Sequence, residues 1–238
     1  MIVFLNVFGS VTAPNVPFER ALGVEQVGWL GRNLTVDDLK PGIARRFKVI
    51  GGPLPLDSVI GLPGVRLIAM VLDDPGTRVM RQWNTAMAQE NHPFHATVNA
   101  FMPREVFEQN LPFSVSLRDA TTRTLSPAKG GASVEAVLER IAQGPFLIGD
   151  PEHLKPFAEA LAKVMKVDPA AFGPEPFAAR KIPNARGNGM PRVQAANPRD
   201  LALMEGLAAM RSGRRKFVLT RRQRPDRDAP AAADSASG

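Results

Sequence analysis

The sequence predicts an α+β fold: a mixed or antiparallel sheet with a β-α-β unit at about 65–101, covered by helices and followed by a helical second half. Three observations predict it. "VRLIAMVL" (65–72) is a nearly continuous apolar run of strand length, the pattern of a strand shielded on both faces. "DDPGTRVMRQWNTAMAQEN" (73–91) follows at once, with Asp74 placed to cap a helix and Pro75 at its first position. Beyond residue 133, amphipathic stretches with start and stop signals dominate.

Taken in order, "MIVFLNVF" (1–8) reads as a buried strand ending at Gly9. The next thirty or so residues are punctuated by proline and glycine, which predicts loops and short turns with Trp29 and Leu30 turned inward. "RRFKVIGG" (45–52) alternates polar and apolar residues before a Gly-Gly stop and predicts a second strand. In the helix after Asp74, Val79, Met80, Trp83 and Met87 follow the rhythm of a buried stripe, and Arg78, Arg81, Gln82 and Gln89 fall on the outer face. Pro93 ends that helix, after which "FHATVNAF" (94–101) and "FSVSLRD" (113–119) read as strands of a sheet covered on one face.

"SVEAVLERIAQG" (133–144) carries Ser133 as cap and Gly144 as stop, and "DPEHLKPFAEALAKVMKV" (150–167) repeats the formula with Asp150 and Pro151. Pro156 must then fall in the first turns of that helix. The chain divides into a near-neutral body (1–167), a Pro/Gly-rich arm crossing the surface (168–197), a basic helix-strand segment (198–224) and a disordered small-residue tail (225–238).

Composition sets bounds on chemistry. The 238 residues include no cysteine, which excludes a disulfide framework and a thiolate zinc site. The N-terminal apolar run lacks the basic flank of a secretory signal, and no stretch reaches the roughly 18 apolar residues of a membrane span. A cytoplasmic protein without membrane partners is the expectation. "GGPLPLDSVIGLPG" (51–64) has no Lys-Ser/Thr and opens no helix, so it is neither a P-loop nor a dinucleotide fingerprint, and no cofactor is predicted. Glu90, His92 and His95 lie together, but Pro93 breaks the helix on which such ligands would share a face, so a helix terminus is the better reading. Asp73 and Asp74, at a strand end, could hold a divalent ion for phosphoryl chemistry, although capping alone accounts for Asp74. Ser10, Ser58 and Ser114 have no visible base partner.

Charge is the informative signal. Residues 1–179 hold 17 Lys and Arg against 18 Asp and Glu, whereas residues 180–224 hold 12 against 2, and ten of those twelve are arginine. Arginine's planar fork matches phosphate oxygens and stacks on bases. The sequence therefore predicts a non-enzymatic protein that binds RNA or DNA through its phosphates, within a larger nucleoprotein complex. The expected contacts are Arg211, Arg214, Arg215, Lys216, Arg221, Arg222 and Arg224, with Arg180, Lys181, Arg186 and Arg192 on the arm. Within "RRKFVLTRRQR", Phe217 and Leu219 are expected to dock on the body while Arg215, Val218 and Thr220 face away. Two alternatives stand beside this reading: a solvated edge strand whose charges prevent sheet-to-sheet pairing, and a structural subunit of a virion, phage tail or ribonucleoprotein whose arm and basic tail dock neighbouring subunits.

Overall fold

The computed structural model describes residues 1–6, 11–40, 46–54, 56–100, 105, 112–127, 131–175, 177–179, 190–211, 213 and 216–220. Its strands are β1 (Ile2–Leu5), β2 (Val11–Thr12), β3 (Val27–Trp29), β4 (Val49–Gly52), β5 (Leu67–Val71), β6 (Phe146–Gly149), β7 (Ala178–Ala179) and β8 (Val218–Leu219). Its α-helices are α1 (Asn15–Leu22), α2 (Leu56–Ile60), α3 (Pro75–Ala88), α4 (His95–Ala100), α5 (Pro112–Leu117), α6 (Ala120–Leu125), α7 (Val134–Gln143), α8 (Leu154–Met165), α9 (Met190–Ala195) and α10 (Pro198–Met210).

Six strands form one mixed sheet in the order β3-β4-β1-β5-β6-β8. The first five run parallel and β8 pairs antiparallel with β6, while β2 and β7 make a separate two-stranded ladder. The apolar run 65–72 supplies β5, flanked by β1 and β6, so the most continuous apolar stretch is indeed central. Alternate side chains enter two different cores. Val3, Leu5, Ile50, Ile68, Met70 and Ile148 meet α2, α7 and α10 on one face, through Val59, Val137, Ile141, Leu203 and Leu207. Phe4, Val27, Val49, Leu67, Ala69 and Leu147 meet α1 and α8 on the other, through Phe18, Phe157 and Leu161. Helices therefore cover both faces, where the sequence predicts one. Parallel strands require crossover connections, and those of this chain lie on opposite sides of the sheet.

Close approach explains one glycine in the sheet. A Cβ on Gly51 would fall inside the Trp29 ring, so glycine at this position lets the indole lie across β4. Beneath the same face, Phe4 stacks on Phe177 with centroids 5.5 Å apart, and Phe18, Phe157 and Phe172 pack around them.

Two strand expectations are corrected. Residues 95–100 and 112–117 are the helices α4 and α5, so the β-α-β connection from β5 closes at β6 and not at 94–101. Both runs are too short for periodicity to separate strand from helix, and packing decides: Val98, Phe113 and Leu117 gather with Trp83 and Val193 in a third, satellite core. The arm is also more integrated than its proline content suggests. Phe172, Phe177 and Val193 are buried in the chain's own cores, and the Arg20 guanidinium donates to the Phe172 carbonyl at 2.9 Å.

The capped helices form as predicted. Asp74 accepts from the Thr77 amide at 3.0 Å with Pro75 behind it, and Ser133 caps α7 while the Gly144 amide closes it. Pro156 sits in the first turn of α8, where a proline ring is tolerated. The face assignment of α3 holds for Val79, Trp83 and Gln89 but fails elsewhere: Arg78 and Arg81 are 1% and 3% exposed, while Met87 is 46% exposed.

Arg78 reaches into the protein to donate to the Asp200 carboxylate at 3.0 Å, the Asn197 side chain at 3.0 Å and the Leu117 carbonyl at 2.8 Å. Asp200 in turn accepts from the Thr122 amide and hydroxyl at 2.7 and 2.8 Å and from the Thr121 amide at 3.2 Å. Burial pushes the Arg78 guanidinium below its ordinary pKa, with the charge of Asp200 opposing the shift. Removing one partner of such a pair leaves an uncompensated charge, which costs about 3–5 kcal/mol. Arg78→Met should therefore lower the thermal midpoint by about 6–20 °C, with part of the loss recovered in Arg78→Met/Asp200→Asn. Unfolding of the single variant at the wild-type temperature would show that the pair does not hold these elements together.

Candidate functional site

In a parallel sheet all strands point their carboxyl ends at one edge, and ligands bind in the crevice outside those ends where successive connections diverge. Here that divergence lies between β1, whose connection leads toward β3 and β4, and β5, whose connection leads toward β6. Asn6 follows β1 at this point, its amide donating to the Gly52 carbonyl of β4 at 3.0 Å. Its side-chain oxygen is buried and accepts no hydrogen bond among the described residues. A buried carbonyl without a donor is costly, so this oxygen is a place where a ligand group would be welcome.

Beyond β5 come Asp73 and Asp74. Asp73 is 5% exposed and its carboxylate is held bidentately by Arg81, with Nη2 donating to Oδ1 at 3.1 Å and Nη1 to Oδ2. Asp74 is engaged as the cap of α3. The two carboxylates thus serve an arginine and a helix end. The 14-residue helix α3 starts at this edge with Pro75, Gly76 and Thr77; Pro75 and Gly76 are buried, and the Thr77 amide is taken by Asp74.

Beyond β6, Asp150 organises a third group. Its Oδ1 accepts from the Glu152 amide at 3.1 Å and pairs with His153 Nδ1 at 2.7 Å, while Oδ2 accepts from Arg211 Nη2 at 3.1 Å. The Leu72 amide donates to the Gly149 carbonyl at 3.0 Å, which keeps the ends of β5 and β6 together. The contact with Asp150 occupies Nδ1 of His153 and holds its ring beside the end of β6.

Of the eleven basic residues predicted to bind phosphate, the structure describes two side chains at this edge. Arg211 ends α10 and is tied to Asp150, so it is a partnered cation and not a free one. Lys216 is exposed just ahead of β8, which runs antiparallel to β6 and so begins at the carboxyl edge. Arg192 belongs to α9, its side chain outside the described residues. Arg180, Lys181, Arg186, Arg214, Arg215, Arg221, Arg222 and Arg224, together with Ser10 and the tail 225–238, also lie outside them.

The predicted register of the basic segment holds in part: Phe217 and Leu219 pack on the body as expected, Val218 and Thr220 do not face away, and Arg215 lies outside the described residues. Val218 is 2% exposed and enters the core beneath α7 and α10, whereas Phe217 and Leu219 are only partly buried on the opposite face. Thr220, expected to face away, donates its hydroxyl to the Ile141 and Gly144 carbonyls at 2.9 and 2.6 Å. A strand between two covered faces buries both sets of side chains, which a rule of one face in and one face out cannot anticipate. β8 is the last strand of the sheet, as the edge-strand reading has it.

The remaining candidates have local roles. His92 Nδ1 receives the Phe94 amide and His95 contacts the Ala86 carbonyl, both at the turn after α3, and no group of three or more metal-ligating side chains occurs among the described residues. No helix in the described residues is long and apolar enough to cross a membrane. Asn6, Asp150 and His153 were missed as site residues by sequence reasoning; the only available signal was their place directly after an apolar run, Asn6 before Gly9 and Asp150 before Pro151. Compared with protein-family models, curated proteins and solved structures, the chain finds no match in any of the three.

Proposed function

We propose that the chain binds a small phosphate-bearing ligand of nucleotide type in the crevice along the carboxyl ends of β1, β5 and β6. The observation that carries the reading is the buried Asn6 oxygen, without a partner among the described residues, at the point where the connections diverge. It asks for an N–H or O–H donor. Lys216, exposed just ahead of β8, offers a positive charge at the same edge. A nucleotide carries both a donor and negative charge. In this reading part of the charge excess of residues 180–224 serves the crevice, which gives Lys216 a role without a polymeric ligand.

A second reading, capture of RNA or DNA phosphates by the basic segment, is favoured by the 12 cations against 2 acids in residues 180–224. It assigns the contacts to Arg214, Arg215, Arg221, Arg222 and Arg224, with Arg180, Lys181, Arg186 and Arg192 on the arm, and places the chain in a nucleoprotein complex.

Thermal unfolding with AMP, ADP, ATP and pyrophosphate tests the first reading. Ligand at 100 times its Kd stabilises by about 2.7 kcal/mol, which raises the midpoint of a protein of this size by about 5–10 °C. Asn6→Ala and Lys216→Glu should each reduce that shift. No shift with any of the four in millimolar excess would contradict the reading. For the second, binding of single-stranded RNA and DNA across a salt series should give a log–log slope near −4 to −5 if about six phosphates are neutralised. Arg221→Glu/Arg222→Glu/Arg224→Glu should flatten it while leaving β8 intact. Deletion of the whole segment is not a clean control, because it removes a strand of the sheet.

A further inference from the structure

We propose that a groove with its charged rim at the opposite, amino-terminal edge of the sheet is a binding site for an amphiphilic carboxylate, an alkyl chain with one acid head. The groove lies between α8 and β8 and encloses about 750 Å³. That is within the roughly 300–1,000 Å³ of small-molecule sites. Its apolar walls are Leu67 at the start of β5, Ala160 and Val164 on α8, Phe217 just ahead of β8 and Leu219 on it.

The groove exists because the sheet ends there. α8 covers β5 and β6 through Phe157 and Leu161, but β8 is the last strand, and the side chains of Phe217 and Leu219 on this face are only partly buried. Val164 is left 39% exposed on the facing helix. Apolar surface on both walls of one cleft is the arrangement of a ligand site more than of scattered surface residues.

The rim sets the sign of the head group. Arg66 and Lys163 line the groove and are exposed, and Glu159, one turn before Lys163, is the one lining carboxylate among the described residues. Two cations against one anion favour a negatively charged head beside an apolar tail, whereas a cationic amphiphile would meet a repulsive rim. A wholly uncharged ligand would use the walls and leave the rim unused. The charged rim at Arg66 and Lys163 lies at the amino-terminal edge, while the walls run along α8 and β8 to Pro156 and Phe217.

Isothermal titration of the full chain with sodium dodecanoate, below its micelle concentration, tests the proposal. Saturable one-to-one binding is expected. Arg66→Glu/Lys163→Glu should weaken it at least tenfold, and Ala160→Trp, which fills the groove, should abolish it. Dodecanol should bind at least tenfold more weakly than dodecanoate, and dodecyltrimethylammonium more weakly still. Arg66 and Lys163 lie at the surface and Ala160 is partly buried, and a wild-type thermal midpoint for each variant confirms its fold. Absence of saturable binding to the wild type would overturn the proposal, as would equal affinity in the charge-reversed or Trp variant, or equal affinity for the uncharged alcohol.

Discussion

The buried pair of Arg78 and Asp200 is the constraint on which the second half of the molecule depends. One guanidinium joins the start of α3, the carbonyl that ends α5, and the first turn of α10, while the Asp200 carboxylate receives the amides that begin α6. Removing two charges from water costs several kcal/mol per ion before the pair and its hydrogen bonds repay it, so the net gain in stability is small. What the pair supplies is position. Both charges are satisfied only when helices far apart in the chain meet in one arrangement.

That arrangement carries outward along α10. At 1.5 Å per residue its 13 residues span about 20 Å; the clamp at Asp200 lies in its first turn, and Arg211, on Asp150, lies just past its end. The chain then turns at Gly213, with a φ of 60° that suits glycine, and enters β8 from the carboxyl edge. The clamp thus fixes where the basic segment joins the sheet. Fold and candidate site are linked through one ion pair and one helix.

Much of this was legible in the sequence where the signal is local. The apolar runs at 2–5, 49–52 and 67–71, the Asp74-Pro75 helix start, the Ser133 cap and the Gly144 stop all follow from neighbouring residues, and each is where the sequence places it. The failures are long-range. Arg78 reads as an outward position because its partner Asp200 lies 122 residues away, and Val218 reads as outward because nothing local says that β8 joins a sheet covered on both faces. α4 and α5 became helices because Trp83, Phe94 and Phe113 pack together, with ring centroids of 5.7 and 5.2 Å for Trp83–Phe113 and Phe94–Phe113. The candidate site shows the same division: the charge excess is countable, but Asn6, Asp73 and Asp150 come together only through strand order.

The central claim is that the carboxyl edge of the sheet, and not the basic segment by itself, receives the phosphate-bearing ligand. Amide chemical-shift mapping of the ¹⁵N-labelled full chain with pyrophosphate tests it most directly. The account predicts that the largest shifts fall on Asn6, Gly76, Thr77, Asp150 and Arg211. Shifts confined to residues 180–192 and 221–224, with those five positions unmoved, would contradict it.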